Sequence, residues 1–517
     1  MKRPVVLLAL LAFIAIACWN LGSLGLYYDE MLFVNAALGA PHNMFIHYKL
    51  GEVPIMLMSY IGALKAWLYY PIFGLFGVST LTVRLPVILI GGLTLWLNSR
   101  VVANAFSEKA ALLFLLMAAV EPTTIFHTRL DWGPTALMML FRSLMLLNTI
   151  LWLKTQQKRY LAFAVTAIVF GTFDKLNFLW FAPGLAAAVL LVYPREVFDF
   201  IKSQWRFCSA LAAVIALLAL GLLAYTKSNL PLEEEIGHMD WSFRWIVVTR
   251  LLLGALSGVN VYATVTMNTD DVTLAKPHLW VLLGALAVAL CVFIRCRQWQ
   301  RLRSFVFLLL FSLFTLVALF VTKQATGPHH IATLAPLWLM LLAALLSPAF
   351  EAGQHTWLRG LAALAVTVVM ISALRIDQRN LAAFSNNPKH AWDPGINELA
   401  PIASQHAGEP VITIDWGSGT TIVGLLKGNV DIRDDWMSFR TPPTEETARH
   451  YEELIQYKKP IFIVPANGEA EMPETRENFL ALVKLRNWQL EPVTVINSAR
   501  SSPLFEIYSV RLPAQSP

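Results

Sequence analysis

The sequence predicts a polytopic α-helical membrane protein with a soluble α/β domain at its C-terminal end. Of the 517 residues, 56% are hydrophobic and 14% are charged, whereas soluble domains carry about 25% charged residues. Apolar runs recur along the first 375 positions, and they reach the roughly 20 residues that cross a bilayer. From about residue 376 polar residues become more frequent and the apolar runs shorten to strand length. The chain therefore divides into a membrane domain at 1–375 and an α/β domain at 376–517.

The charged residues and the cysteines indicate the lipid bilayer as a partner and argue against nucleic acid. The net charge is +6, but most Lys and Arg residues lie in short loops between apolar runs, where they orient a membrane protein. All four cysteines lie in or beside apolar runs, so they do not indicate a disulfide framework.

The first apolar segment has two interpretations. Lys2-Arg3 followed by an apolar stretch resembles a signal peptide, and Ala15 to Cys18 resembles a lipoprotein cleavage site. The apolar run continues to Leu26, however, which is too long for the core of a typical signal peptide. We therefore expect an uncleaved first helix.

About eleven membrane spans are predicted from length and hydrophobicity. They are 4–24, 83–103, 110–126, 133–153, 160–174, 178–193, 207–225, 278–294, 304–322, 331–349 and 358–375. The apolar segment 55–77 is left out because it contains Lys65, is dense in Tyr and Trp, and follows Pro54. We expect this segment to lie in the outer interface or to re-enter it, within a first outer loop at 25–82.

The basic loops support this count. With the N-terminus in the cytoplasm, every basic loop falls on the cytoplasmic side: Lys2/Arg3, Arg100/Lys109, Lys154/Lys158/Arg159, Arg195/Lys202/Arg206, the cluster Arg295 to Arg303, and Arg359. Counting 55–77 as a span would move the cluster Arg295 to Arg303 outside. The predicted outer face then carries the C-terminal domain and five candidate residues, Asp29, Asp131, Lys175, His329 and His330.

The C-terminal domain shows alternating strand and helix patterns. Strands are predicted at 411–415, 461–464, 493–496 and 505–510, with helices at about 396–406, 444–457 and 475–487. Gly417-Ser418-Gly419 resembles a nucleotide-binding loop, but Ile422 holds the third glycine position, so a tight turn is favoured. The repeated Asp-Trp-Gly at 131–133 and 415–417 is interpreted as chance.

Asp29 and Glu30 lie immediately after the first span. Carboxylates at the end of a membrane helix are costly unless they have a function. One could take the proton of an acceptor hydroxyl or bind a divalent cation. Alternatively, Asp29 caps the helix that the pattern Met31 to Leu38 predicts.

Several motifs follow these carboxylates in a characteristic order. Glu52-Val53-Pro54 lies in the outer loop, and Phe76-Gly77 is separated by six residues from Arg84-Leu85-Pro86 at the second span. This order resembles the GT-C glycosyltransferases of the protein O-mannosyltransferase and lipid A aminoarabinose transferase type. The resemblance continues through most of residues 1–350, at Arg129-Leu130-Asp131, Gly171 to Lys175, and Gly327-Pro328-His329-His330 to Pro336. Two positions depart from the family pattern, because Val53 replaces a lysine and Leu176 replaces a glycine.

The resemblance implies a GT-C-like bundle and a transferase activity at the outer face of a bacterial plasma membrane. A sugar would move from a polyprenyl-phosphate donor to a glycan, lipid or protein acceptor, with inversion at the anomeric carbon. It implies catalytic roles for Asp29, Glu30 and Asp131. It also implies that Arg84 contacts the donor phosphate and that Glu52 and Arg129 contact substrate.

The chemistry of this reaction suggests roles for further residues. Lys175, near the outer end of a span, could bind the donor phosphate or pair with Asp174. His329 and His330 could donate to the phosphate, although adjacent histidines on a helix would point apart and form no joint metal site. Arg142 lies mid-span and is either structural or substrate-binding. The sequence identifies no definite cofactor; a divalent cation bound by Asp29 and Asp131 is the one candidate.

Two other classes of function remain open. A transporter or lipid flippase would place polar residues near mid-membrane, often on repeated and broken helices. Here the acidic residues gather at one predicted face, and no internal repeat is evident. A non-catalytic envelope assembly protein would use the C-terminal domain to bind partners. Loss of transfer with intact assembly in Asp29→Asn would favour the enzyme.

Overall fold

The computed structural model describes residues 3–39, 46–229, 240–268, 271–322 and 327–513, and most of them are helical. Eighteen helices are described before the C-terminal domain. They are α1 Arg3–Cys18, α2 Tyr28–Leu38, α3 Leu64–Phe76, α4 Thr80–Ala105, α5 Glu108–Ala118, α6 Pro122–Leu130, α7 Thr135–Thr155, α8 Lys158–Asp174, α9 Phe181–Val192, α10 Pro194–Ser203, α11 Trp205–Asn229, α12 Trp241–Ser257, α13 Asn260–Thr266, α14 Asp271–Cys296, α15 Leu302–Val321, α16 Pro328–Ala332, α17 Leu337–Leu346 and α18 Thr356–Asn386. Short 3-10 helices occupy Leu21–Ser23, Leu176–Trp180, Trp299–Arg301, Ser347–Phe350, His390–Trp392 and Pro394–Glu398.

The described helices agree with a polytopic membrane protein. Eight helical segments are long and apolar enough to cross a bilayer, and three bent pairs would raise the number to eleven. Every predicted span overlaps a described helix, although the span predicted at 160–174 is the shorter, 17-residue helix α8. The bent pair α12–α13 was not predicted as a span, because Arg244 and Arg250 interrupt its apolar run. Arg244 donates to the carbonyl oxygens of Leu319, Phe320 and Thr322, at the end of α15.

The first outer loop contains a small antiparallel sheet that the sequence did not predict. Strands β1 Tyr48–Leu50, β2 Val53–Met58 and β3 Ile61–Gly62 pair in that order and precede α3. The segment 55–77 is therefore part strand and part helix. At 13 residues, α3 is about 20 Å long, too short to cross a bilayer.

The end of this sheet reaches the turn after α8. Ile61 pairs with Lys175 in an antiparallel bridge, and the Leu176 amide donates to the Tyr60 carbonyl oxygen at 3.0 Å. A Cβ atom at Gly62 would lie 2.1 Å from the carbonyl oxygen of Phe173, so only glycine allows this close approach. The first outer loop is thereby fixed against Lys175.

The C-terminal domain is a mixed five-stranded sheet with helices. Its strands are β4 Val411–Thr413, β5 Ile432–Asp434, β6 Ile461–Pro465, β7 Gln489–Asn497 and β8 Pro503–Arg511, in the order β5-β4-β6-β8-β7. Strand β4 is parallel to β5 and β6, while β8 is antiparallel to β6 and β7. The helices are α19 Leu399–Gln405, α20 Ser418–Leu425, α21 Trp436–Phe439, α22 Glu445–Lys458 and α23 Pro473–Leu485. All four predicted strands and all three predicted helices are present, and only the three-residue β5 and the short helices α20 and α21 were missed.

The C-terminal domain docks on helix α2. The Asn35 side chain donates to the Thr420 carbonyl oxygen at 2.9 Å, and the Thr421 hydroxyl donates to the Leu26 carbonyl oxygen at 2.9 Å. A Cβ atom at Gly424 would lie 2.3 Å from the Met31 side chain. Helix α20 therefore lies directly against α2. The boundary expected at 376 falls inside α18, which continues to Asn386.

Candidate active site

Helix α2 carries the two carboxylates that follow the first span. Glu30 accepts a hydrogen bond from the Tyr27 backbone N–H at 3.2 Å and so caps the helix. Asp29 is partly buried, and among the described residues its carboxylate accepts no hydrogen bond. The alternative that Asp29 serves as the helix cap is therefore not what the structure shows, and its carboxylate is free for chemistry.

Glu30 and Arg84 form a buried ion pair. The guanidinium donates to both Glu30 oxygens at 2.8 Å and to the carbonyl oxygens of Leu21, Leu24 and Gly25. These contacts use all five N–H groups of Arg84. Together Arg84 and Glu30 clamp the segment between α1 and α2. The phosphate contact expected of Arg84 and the catalytic role expected of Glu30 stay predictions.

Asp131 ends helix α6 and is also engaged. The Lys65 ammonium of α3 donates to Asp131 at 2.8 Å and to the Gly133 carbonyl oxygen at 2.9 Å. The second Asp131 oxygen accepts the Ala136 backbone N–H at 2.7 Å at the start of α7. Lys65 and Asp131 are both almost fully buried. Asp131 therefore anchors α3 and α7 beside the site.

Lys175 lies in the turn after α8, and its side chain reaches the turn that carries Gly133. It is 3% exposed, and a Cβ atom at Gly133 would lie 3.4 Å from its ammonium nitrogen. Among the described residues the ammonium forms no hydrogen bond or ion pair, so the expected alternative of a bridge to Asp174 is not present. Asp174 is itself buried, and within the described chain neither of its oxygens has a hydrogen-bond partner.

Charge and burial set the protonation of Asp29 and Lys175. Burial raises the pKa of the Asp29 carboxyl to about 6, although the charges of Lys175 and Lys65 oppose the shift. Burial lowers the pKa of the Lys175 ammonium to about 8, against the attraction of Asp29 and other carboxylates. At neutral pH most Asp29 is ionised and most Lys175 is charged. A carboxylate with a pKa near the working pH is suited to act as a general base.

Asp29, Lys65, Asp131, Asp174 and Lys175 form one group of charged residues, which we call the Asp29 cluster. The two predicted histidines lie beside this cluster, and their rings do not point apart. Their ring centroids are 4.0 Å apart. The His330 ring accepts the Gly327 backbone N–H at 3.3 Å and lies 3.3 Å from the Asn177 amide. His329 is partly buried, lies 5.8 Å from the Trp132 ring, and keeps an Nδ1 atom without a partner among the described residues. Of the two, His329 is the one with a ring nitrogen free to meet a ligand.

Three further predicted residues lie in other settings. Arg129 donates to the carbonyl oxygens of Trp19 and Asn20. Arg142 donates to the carbonyl oxygens of Thr333 and Ala335, next to α17. Both arginines are fully buried and donate to carbonyl oxygens of turns, while Nε of each has no partner among the described residues. The substrate-binding roles expected for them stay predictions. Glu52 is exposed in the turn between β1 and β2, and no described contact links it to the Asp29 cluster.

A divalent cation shared by Asp29 and Asp131 does not fit this arrangement. Both Asp131 oxygens are already used by Lys65 and a backbone N–H. In the parts of the chain that the structure describes, no three His, Cys, Asp or Glu side chains converge on one point.

Sequence reasoning missed two members of this cluster, Lys65 and Asp174. Lys65 lies in an apolar segment, where an ionisable residue normally has a buried partner. In the sequence, the charge of Lys65 indicates only that the segment 55–77 does not span the membrane. Its partner Asp131 is 66 positions away, and no local pattern connects the two.

Comparisons with known proteins agree with this architecture. Residues 62–223 match the family model described as dolichyl-phosphate-mannose-protein mannosyltransferase. A search of curated protein sequences found no match. Among solved structures, ArnT from Cupriavidus metallidurans bound to undecaprenyl phosphate is 12% identical, with a TM-score of 0.60 and coverage of 98% of both chains.

A second solved structure is the archaeal oligosaccharyltransferase AglB from Archaeoglobus fulgidus, in complex with an inhibitory peptide and a dolichol-phosphate. It is 15% identical, with a TM-score of 0.54, and the match covers 90% of this chain and 69% of that chain. At these identities the likeness concerns the fold. The family model covers residues 62–223, and the fold is shared with ArnT and AglB.

Proposed function

We propose that this protein transfers a sugar from a polyprenyl-phosphate donor to an acceptor hydroxyl at the outer face of a bacterial plasma membrane. The observation that carries the proposal is the pair of Asp29 and Lys175. One is a carboxylate without a hydrogen bond, and the other is a buried ammonium without an ion pair, among the described residues. Each influences the pKa of the other.

The reaction follows from these two groups. Lys175 binds the donor phosphate, because a buried ammonium gains most from a charge-assisted bond to an anion. Asp29 accepts the proton of the acceptor hydroxyl as its oxygen attacks the anomeric carbon. The bond between that carbon and the phosphate oxygen breaks, and polyprenyl phosphate leaves with the electron pair. A single displacement of this kind inverts the anomeric configuration.

The relatives support the choice of donor. The ArnT structure contains undecaprenyl phosphate, and the AglB structure contains a dolichol-phosphate. Both are lipid phosphates of the kind proposed here. The apolar helices beside Lys175 would hold the lipid chain, while the C-terminal domain would stand outside the membrane with the N-terminus in the cytoplasm.

The test uses purified protein in lipid nanodiscs with a panel of undecaprenyl-phosphate sugars. Released undecaprenyl phosphate is measured for the wild type, Asp29→Asn, and the control Asp199→Asn. Asp199 is exposed on α10, and no described contact links it to Asp29 or Lys175. Loss of a general base is expected to slow turnover by about 10²- to 10⁴-fold, while the control keeps wild-type turnover. Equal turnover of Asp29→Asn and wild type would refute the proposal.

A further inference from the structure

A groove lies between helices α1 and α4, away from the Asp29 cluster. It encloses about 380 Å³, and its lining residues are Arg3, Val6, Leu7 and Leu10 of α1 with Trp96 and Arg100 of α4. We call the space lined by these six residues the α1–α4 groove. Arg100 follows Arg84 by 16 positions, which is about 24 Å along α4. The groove is therefore at the opposite end of α4 from the ion pair of Arg84 with Glu30.

The packing of α1 on α4 explains why this space is open. A Cβ atom at Gly91 would lie 3.0 Å from the Phe13 ring, and one at Gly92 would lie 3.9 Å from the Ile14 side chain. These two glycines let the helices approach closely at that level. Trp96 comes one turn after Gly92 on the same face of α4, and its large side chain ends the close contact. Between Trp96 and α1 a space is left that no described side chain fills.

The groove is charged at one end and apolar at the other. Leu7 and Leu10 follow Arg3 by one and two turns of α1, and Trp96 precedes Arg100 by one turn of α4. Both guanidinium groups therefore stand at the end of the bundle, and the apolar side chains lie deeper. Leu7 is 58% exposed and Trp96 is 41% exposed, so both keep free apolar surface. A ligand that fits the whole groove has an anionic head and an apolar tail.

The two arginines have N–H groups available for such a head. Arg3 is exposed and forms no hydrogen bond or ion pair with any described residue. Arg100 contacts the Glu108 carboxylate at 3.4 Å, and both side chains are open to solvent, so this ion pair is weak. Glu108 is not among the residues that line the groove. A guanidinium binds a phosphate through parallel N–H bonds, more strongly than it binds water.

We propose that the α1–α4 groove binds one anionic glycerophospholipid. Its phosphate lies between Arg3 and Arg100, and one acyl chain runs along Leu7, Leu10 and Trp96. Basic pockets between membrane helices bind anionic lipid heads in this way. Helix α1 buries only three of its own residues, so the lipid would supply part of the contact that holds α1 against α4. The assignment does not depend on the proposed transferase activity.

The test of the charged end is native mass spectrometry of the full-length protein, released from detergent with added lipid. The probes are phosphatidylglycerol and the neutral phosphatidylcholine with the same palmitoyl and oleoyl chains. The variant is the double substitution Arg3→Gln with Arg100→Gln. Its matched control is Arg195→Gln with Lys202→Gln, which removes two exposed cations from α10, neither of which lines the groove.

The test of the apolar end is Trp96→Ala, which keeps both charges. Its control is Trp357→Ala, because Trp357 is a 53% exposed tryptophan at the start of α18. Trp96→Ala should weaken binding of phosphatidylglycerol, while Trp357→Ala should not. Glycerol 3-phosphate, which has the charged head without the chains, should fail to displace the bound lipid. Wild-type affinity in Trp96→Ala, or displacement by glycerol 3-phosphate, would overturn the placement of a lipid along the groove.

The expected result for the charges is that the wild type binds the first phosphatidylglycerol more tightly than phosphatidylcholine. The double arginine variant should bind phosphatidylglycerol about thirtyfold more weakly, and the α10 control should bind it like the wild type. Equal affinity for the two lipids, or an equal loss in the variant and its control, would overturn the proposal. No sugar donor is present and no turnover is measured, so these outcomes are separate from failure of the transferase proposal.

Discussion

Asp29 and Lys175 make opposite demands on pH. Asp29 acts as a base only when it is ionised, above its pKa of about 6. Lys175 binds phosphate as an ammonium, below its pKa of about 8. We expect kcat/KM for the donor to rise as pH passes through about 6 and to fall above about 8, since this quantity reports the free enzyme. A profile that stays flat from pH 5 to pH 9 would contradict these roles.

Lys175→Ala tests the phosphate contact alone. Loss of a charge-assisted hydrogen bond costs about 1.5–3 kcal/mol, or roughly ten- to a hundredfold in affinity. We therefore expect weaker binding of undecaprenyl phosphate, measured by native mass spectrometry of the detergent-solubilised protein. Lys202→Ala, an exposed lysine on α10, should bind like the wild type. Equal affinity of Lys175→Ala and Lys202→Ala would assign Lys175 a structural role.

Asp131→Asn tests a different property, the stability of the buried pair with Lys65. Breaking a buried ion pair costs about 3–5 kcal/mol, because the remaining charge is left uncompensated. The variant should unfold at a clearly lower temperature in a fluorescence melt. Adding Lys65→Met removes the stranded charge and should recover much of the loss. If Asp131→Asn alone were as stable as the wild type, the ion pair would not stabilise the fold.

Sequence reasoning could name Asp29 and Lys175 because both lie at the ends of apolar segments, where charge is conspicuous. It could not separate them from Arg84 and Arg129, which carry the same signal. Arg84 uses its five N–H groups on Glu30 and on carbonyl oxygens of the segment between α1 and α2. Arg129 donates to two carbonyl oxygens of the same segment. Which donors are left free depends on tertiary contacts, and these leave no local pattern.

Among the elements, α2 links the two domains, because it carries Asp29 and packs against α20 of the C-terminal domain. Gly424→Leu would drive a side chain into Met31 and Asn35, which lie 2.3 and 2.9 Å from a Cβ at that position. A displacement of about 1 Å at a catalytic group can cost roughly 10²-fold in rate. We expect a large loss of turnover, measured with the same release assay.

The control for this prediction is Gly408→Leu. A Cβ atom there meets no atom within 4 Å, so turnover should stay at the wild-type level. Donor binding should survive in both variants, because Lys175 does not touch α20. Wild-type turnover in Gly424→Leu would show that the domain contact does not position Asp29.

Helices and strands with a long apolar run or a clear alternation of apolar and polar residues were predicted well. Elements that form only because they pair with a distant strand were not. Helix α14 and strand β8 carry long apolar or alternating patterns. Strands β1 to β3 are short, and their apolar residues resemble a helical run until the Ile61 bridge to Lys175 is known. Strand β5 has three residues and exists because β4 offers it a parallel edge.

At the scale of the whole molecule, the orientation across the membrane remains a prediction. Basic loops place the N-terminus in the cytoplasm and the C-terminal domain outside. Alkaline phosphatase fused after Pro517 should be active, since it folds only in the periplasm. A fusion after Arg297, in a basic loop, should be inactive there and fluorescent as a green fluorescent protein fusion. The opposite result for both fusions would place the proposed site at the cytoplasmic face of the membrane.

Two long-range contacts also set the order in which the protein can fold during synthesis. They are the bridge between Ile61 and Lys175 and the ion pair of Lys65 with Asp131. Both partners of the first outer loop are synthesised later than the loop itself. While α4 to α8 are being inserted, the nascent loop has a strand edge without its bridge and an ammonium without its carboxylate. This loop is therefore translated early but matures late, and a chain whose synthesis stops before Lys175 would present it unfinished to the proteases of the cell envelope.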